Sequence, residues 1–195
     1  MDSRFENALR LIDEANARDP NRESVDGVEQ PKELIYSQRM TSWLEKIAPD
    51  ASDALRLAAR AQHICRWKIP RNDYPMDRVG YHRWRKKLAN FHSDTAGKLL
   101  VQAGYDCDTI ERVQALVQKQ QLKSDPETQT LEDAVCLVFL EDYFADFSQK
   151  HDDKKLVRIL RKTWAKMSSR GHQLALGLDL DAAARALIEK ALSGP

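Results

Sequence analysis

Little in this chain breaks a helix. Its 195 residues include only seven glycines and seven prolines, and the long runs between them are rich in Ala, Leu, Glu, Lys and Arg. No alternating strand pattern rises above noise, so the expected fold class is all-α. Cysteine is scarce: Cys65, Cys107 and Cys136 stand apart with no CxxC spacing. That excludes a disulfide framework or a zinc finger and predicts reduced thiols in a cytoplasmic protein. No apolar run approaches the roughly 20 residues needed to cross a bilayer, so no membrane partner is expected. The opening MDSRFENALR is acidic and amphipathic, unlike a secretory signal. A net charge of +1 argues against nucleic-acid binding by the entire surface. There is no Ser-His-Asp ordering, no phosphate-cradling glycine loop and no internal repeat.

What is present is concentrated between residues 58 and 92. This stretch holds His63, His82, His92, Trp67 and Trp84. From Arg60 to Lys87 it has nine basic residues against Asp73 and Asp77, a local charge of +7. Arginine forks match phosphate and carboxylate oxygens, so the concentration marks an anion site. Arg66, Arg71 and Arg85 stand beside Trp67, Tyr74, Tyr81 and Trp84, a mixture suited to a phosphorylated ligand with a flat base. Gln62 shares a helix side with His63 and Arg66. Lys119, Lys162 and Lys166 are expected to add to the same wall. The competing reading is that these cations only solvate helix faces.

Periodicity and caps predict helices over 3–17, 32–47, 53–67, 80–103 (one or two, with a break near Ser93), 109–122, 131–147, 152–169 and 180–192. Residues 19–31 read as a polar loop, and Asp13, Asn16 and Asp19 mark its edge. Gly104 is expected to cap one helix and Gly171 to end another. The chain is expected to form one domain, residues 1–195, with a core over about 32–147 and the helices of 152–192 packed on it.

His63 sits among alanines and apolar residues, where a hydrogen-bonded core histidine competes with a ligand. His92 follows about thirty residues later. Glu132 and Asp133 open the most apolar helix, where a carboxylate needs a partner. Two imidazoles with carboxylates from separate helices suit a divalent transition metal. His63, His92 and Asp133, assisted by Glu33 or Glu132, are the expected ligands, and Glu132 and Asp133 the expected catalytic carboxylates. His82 and His151 read as surface or outer residues, and His172 as a helix-end residue.

Residues 55–142 resemble an HD-type metal-dependent phosphohydrolase, an all-helical fold. AARAQHICR matches the alanine-rich histidine segment at His63, FHSDTAGKLLVQAGYDCDTIERVQALV matches a later segment at His92, and LEDAVCLVFLED a closing acidic helix. The family's aspartate after the histidine is Ile64 here, and its first histidine falls on Tyr36. More of the chain resembles an uncharacterised family, a domain of unknown function found in bacteria, fungi and plants. The matching runs are IDEANARDPN, PKELIYSQRM, AARAQHICRWKIPR, GYHRWR, LEDAVCLVFLE and RKTWAKMSSRGH. Some members carry a glutamyl-tRNA synthetase-like label, yet this chain has neither a HIGH-like nor a KMSKS-like motif in a nucleotide-binding fold.

Two functions follow as expectations. The first is an HD-like domain that binds a phosphorylated, nucleotide-like ligand and hydrolyses its phosphoester with a divalent metal (Mn, Fe, Zn or Mg). The second is a non-catalytic module that holds a nucleotide or an RNA end.

Overall fold

A computed structural model describes residues 3–193, and they are overwhelmingly helical. The chain divides into two compact units, Met1–Gln121 and Leu122–Pro195. That division falls inside the stretch 32–147 expected to form one core.

The first unit opens with α1 (Ser3–Asn16), which buries Phe5, Ala8, Leu11, Ile12 and Asn16. The stretch expected to be only a polar loop contains a short hairpin, β1 (Arg22–Val25) and β2 (Val28–Pro31). Its turn is Asp26-Gly27, both with positive φ (51° and 77°), the dipeptide that closes a two-residue hairpin in the twist strands prefer. The strands are too short and too exposed to show alternation.

Asp19 then fixes the next helix. Its Oδ1 accepts from the backbone and side-chain nitrogens of Asn21, and its Oδ2 accepts from Glu33 N at 3.0 Å. Helix α2 (Lys32–Ile47) therefore starts with Glu33 held at a defined place. Helix α3 (Asp53–Arg60) is capped by Ser52, which accepts from Leu55 N at 3.1 Å.

Helix α4 (Arg78–Ala103) is continuous, without a break near Ser93. Asp77 caps its start and Gly104, at φ 87°, closes its end as expected. Helix α5 (Cys107–Val117) begins on the Asp106 cap. It packs against α3 and α4, and α1 packs against α4. The approach of α4 to α5 is close at Gly97, where an added Cβ would lie 2.5 Å from Gln114 Nε2. Gln114 in turn donates to the Ser93 carbonyl at 3.2 Å.

The second unit begins with α6 (Pro126–Val138), which Asp125 caps by accepting from Glu127 N and Thr128 N. One π-helical turn, Phe139–Tyr143, leads into α7 (Phe144–Ser148). Helices α8 (Asp153–Trp164), α9 (Ser169–Leu176) and α10 (Ala182–Leu192) follow. Gly171 does not end a helix. It lies in the first turn of α9, where an added Cβ would sit 2.7 Å from Asp133 Oδ1. Gly171→Ala should therefore destabilise this unit by about 1–3 kcal/mol through overpacking. Urea denaturation would read this as a lower midpoint.

Candidate anion-binding site

The site is created by a helix that stops early. Periodicity predicts helix to residue 67, but α3 ends at Arg60 and turns follow. Cys65 takes the left-handed region at φ 52°, unusual for a residue with a side chain. Its N–H is held by the buried Asn16 Oδ1 at 3.0 Å, a contact from α1 across 49 positions of sequence. With regular helix gone, the Ile64 carbonyl is available to accept from His92 Nδ1 on α4 at 2.7 Å. Arg66 folds back so that its Nη1 lies 2.9 Å from His63 Nε2.

These contacts assign protons. Arginine has no acceptor, so His63 Nε2 accepts and its Nδ1 carries the hydrogen. That Nδ1 lies 3.6 Å from Glu33 Oε2. A carbonyl only accepts, so His92 Nδ1 donates and its Nε2 keeps a lone pair. His92 Nε2 is buried and has no hydrogen-bond partner; Glu33 Oε2 and Gln62 Oε1 share that state. The His63 ring stacks on Tyr36, centroids 4.0 Å apart and planes 13° from parallel, and lies 5.9 Å from the His92 ring. Tyr36 thus supports the His63 ring directly.

The electrostatics follow from burial among cations. Burial, with Arg66 and His92 next in weight and then Arg85 and Lys119, holds His63 well below the usual histidine range. Burial lowers His92 to about 4, and Arg66 and Arg85 add to this while the Ile64 carbonyl opposes it. Both imidazoles are thus neutral at pH 7. Burial raises the Glu33 carboxyl to about 7 against the pull of Arg66. Arg66 is itself lowered by burial, with Glu33 opposing.

Gln62, His63, Arg66, Arg85, Leu88, Ala89, His92, Val117, Gln118 and Lys119 line one cavity of about 60 Å³. Five helical or turn segments of the first unit meet around it. Of the residues singled out from sequence, Gln62, His63, Arg66, Arg85, His92 and Lys119 are brought together here. The apolar wall and Gln118 were not anticipated, because no charge or periodicity distinguishes them from ordinary core and loop positions.

Other expected site residues take different places. Trp84 supports Arg66, whose guanidinium lies 5.1 Å from its ring centroid, and donates from Nε1 to the Ile69 carbonyl at 2.9 Å. Arg71 donates to the carbonyls of Tyr74 at 3.0 Å and Pro75 at 2.7 Å, which braces its own loop. Tyr81, 46% exposed, stands one helical turn before Arg85 and is tilted against Trp84 with centroids 5.9 Å apart. Trp67 lines a separate groove of about 340 Å³ with Arg18, Cys65 and Lys68.

Glu132, Asp133, Lys162 and Lys166 belong to the second unit. There Asp133 Oδ1 accepts from Ser168 N at 2.8 Å and Gln129 Nε2 at 3.1 Å, and Oδ2 accepts from Ser168 Oγ. Asp133 thereby anchors the start of α9. Glu132 pairs with Lys166 at 3.3 Å. His172, expected at a helix end, lies on α9, stacks on Trp164 at 4.0 Å and meets the Trp164 carbonyl through Nε2 at 2.9 Å.

These donors fit a divalent metal poorly. A guanidinium occupies the His63 Nε2 lone pair, and the Asp133 oxygens serve three protein donors. Among the described residues no group of three or more His, Cys, Asp or Glu is placed to hold a metal ion. No described helix is long and apolar enough to cross a membrane.

Fold and site define an all-helical protein with an arginine-rimmed cavity lined by two histidines. The chain belongs to the family described as Domain of unknown function (DUF4202), whose model matches residues 6–188. No curated protein and no solved structure matches it.

Proposed function

We propose that the first unit is a binding module for the phosphoryl head of a small, nucleotide-like ligand. The carrying observation is the cavity itself: Arg66, Arg85 and Lys119 converge on it, and His92 and Gln62 bring buried polar atoms that lack a protein partner. Buried polar groups ordinarily find one, in protein or in solvent or ligand. About 60 Å³ is well under the roughly 300–1,000 Å³ of a site that encloses a drug-sized molecule. The charged head enters and the remainder lies at the mouth, where exposed Tyr81 offers a stacking face.

Arg66 is the central anion ligand because His63 and Trp84 hold its guanidinium and burial strengthens its field. Hydrolysis through a divalent metal, the step the HD resemblance would add, has little support from the donors described above. An RNA end presents the same terminal phosphate and is the second reading. Arg83, Lys86 and Lys87, exposed on α4, favour it as contacts to a following backbone.

Calorimetric titration with a nucleoside monophosphate in the presence of chelator tests the proposal. Binding should persist without metal and weaken about ten- to a hundredfold in Arg66→Ala, the loss of one charged hydrogen-bonding group. Binding that requires added metal, or that Arg66→Ala leaves unchanged, would contradict it.

A further inference from the structure

His92 adds a demand that cations alone do not make. Its Nδ1–H is fixed on the Ile64 carbonyl, so the neutral ring presents a lone pair at Nε2, and turning it over to present a donor would break that 2.7 Å bond. The ring is 3% exposed and lines the cavity. Gln62 Oε1, a second acceptor without a protein partner, belongs to the same lining. A fully deprotonated oxyanion held by Arg66, Arg85 and Lys119 would satisfy the cations. Against the neutral His92 ring it would set oxygen lone pair on nitrogen lone pair.

We infer that the site selects an oxyanion that keeps a proton, with the ligand donating an O–H to His92 Nε2 while its other oxygens accept from Arg66, Arg85 and Lys119. This rests on the anion-binding reading above and narrows it to protonated phosphoryl groups. Inorganic phosphate and the monoanion of a phosphomonoester carry such a hydroxyl. A phosphodiester and a sulfate do not.

A site built to pair with a ligand hydroxyl rejects the analogue that lacks it, because the buried group is then left unpaired. Near-isosteric sulfate and phosphate make that comparison directly. The experiment is a pair of titrations of the full chain at neutral pH in chelator, one with sodium phosphate and one with sodium sulfate. Each is followed by calorimetry, and competition confirms that both occupy one site. Phosphate should bind at least about tenfold more tightly than sulfate.

His92→Phe, which keeps the ring and removes the acceptor, should bring phosphate down toward the sulfate value. A melting curve for that variant establishes that it is folded. Where the variant does not fold, the comparison on the natural chain decides alone. Equal affinities for the two anions, with both lost in Arg66→Ala, would overturn the selectivity and leave the anion site standing. Failure of both anions to bind would overturn the selectivity and the anion site together.

Discussion

Glu33→Gln should make the protein more stable at about pH 8 and leave it little changed near pH 5. The Glu33 carboxyl titrates at about 7 in the folded chain against 4.5 for an ordinary glutamate. Between those values the folded state holds a proton that the unfolded state has released, so stability falls as pH rises through this window. Above pH 7 both states are ionised and the full penalty for a buried carboxylate is present. Glutamine removes the titration and retains the shape. The gain at high pH is on the order of 3 kcal/mol at most, because a shift of one pKa unit corresponds to about 1.4 kcal/mol. His92 acts in the opposite sense. Lowered from 6.5 to about 4, it makes stability rise as pH goes from about 4 to 6.5, in the variant as in the natural chain. Urea denaturation of the two proteins across this range isolates the Glu33 contribution by difference. A variant no more stable at pH 8 than the natural protein would show that Arg66 and the Nδ1–H of His63 stabilise the Glu33 carboxylate fully. Anion binding should survive Glu33→Gln, since it removes a negative charge beside Arg66.

Asp133→Ala should destabilise the second unit by about 2–4 kcal/mol. The carboxylate accepts from Ser168 N, Ser168 Oγ and Gln129 Nε2, and hydrogen bonds to charged groups contribute roughly 1.5–3 kcal/mol with an added penalty for donors left unpaired. Asp133 is 1% exposed, so water would not easily replace it. Ser168→Ala, which keeps the backbone donor, should cost less, about 1 kcal/mol. Circular dichroism against urea measures both. The outcome also separates two roles for Asp133. A carboxylate held in place for chemistry is commonly strained, and its removal leaves stability unchanged or raises it. One that ties α6 to the start of α9 is missed by the fold. The geometry predicts the second result.

Much of the helical plan is readable in the sequence because it is local. The caps Ser52 and Asp181, the stop at Gly104 and the span 32–47 are each decided by neighbours a few residues away. The same local chemistry gathers Gln62, His63, Arg66 and Arg85 as one charged, aromatic-rich region. What is not readable depends on distant partners. Nothing near residue 61 announces that the helix unwinds there, since Asn16 on α1 supplies the hydrogen bond that supports Cys65. Without that break the Ile64 carbonyl would not meet His92, and His63 would remain on a regular helix. Trp67 sits one residue beyond Arg66, but the turn sends it to another groove. Asp133 looks like an acidic ligand in an apolar helix until Ser168, 35 residues later, is seen to bind it. The Asp26-Gly27 hairpin was legible in principle from its turn dipeptide; its short, polar strands hid it.

On the proposed reading, the cavity of Arg66, His92 and their neighbours receives a phosphoryl anion without a metal. Nitrogen-15 spectra of the imidazole side chains, recorded in chelator as inorganic phosphate is added, test it most directly. The His92 Nε2 signal should shift saturably as its lone pair gains a hydrogen bond, while its Nδ1 stays protonated on the Ile64 carbonyl. Imidazole signals of His63 and His92 that remain fixed up to saturating phosphate would contradict it.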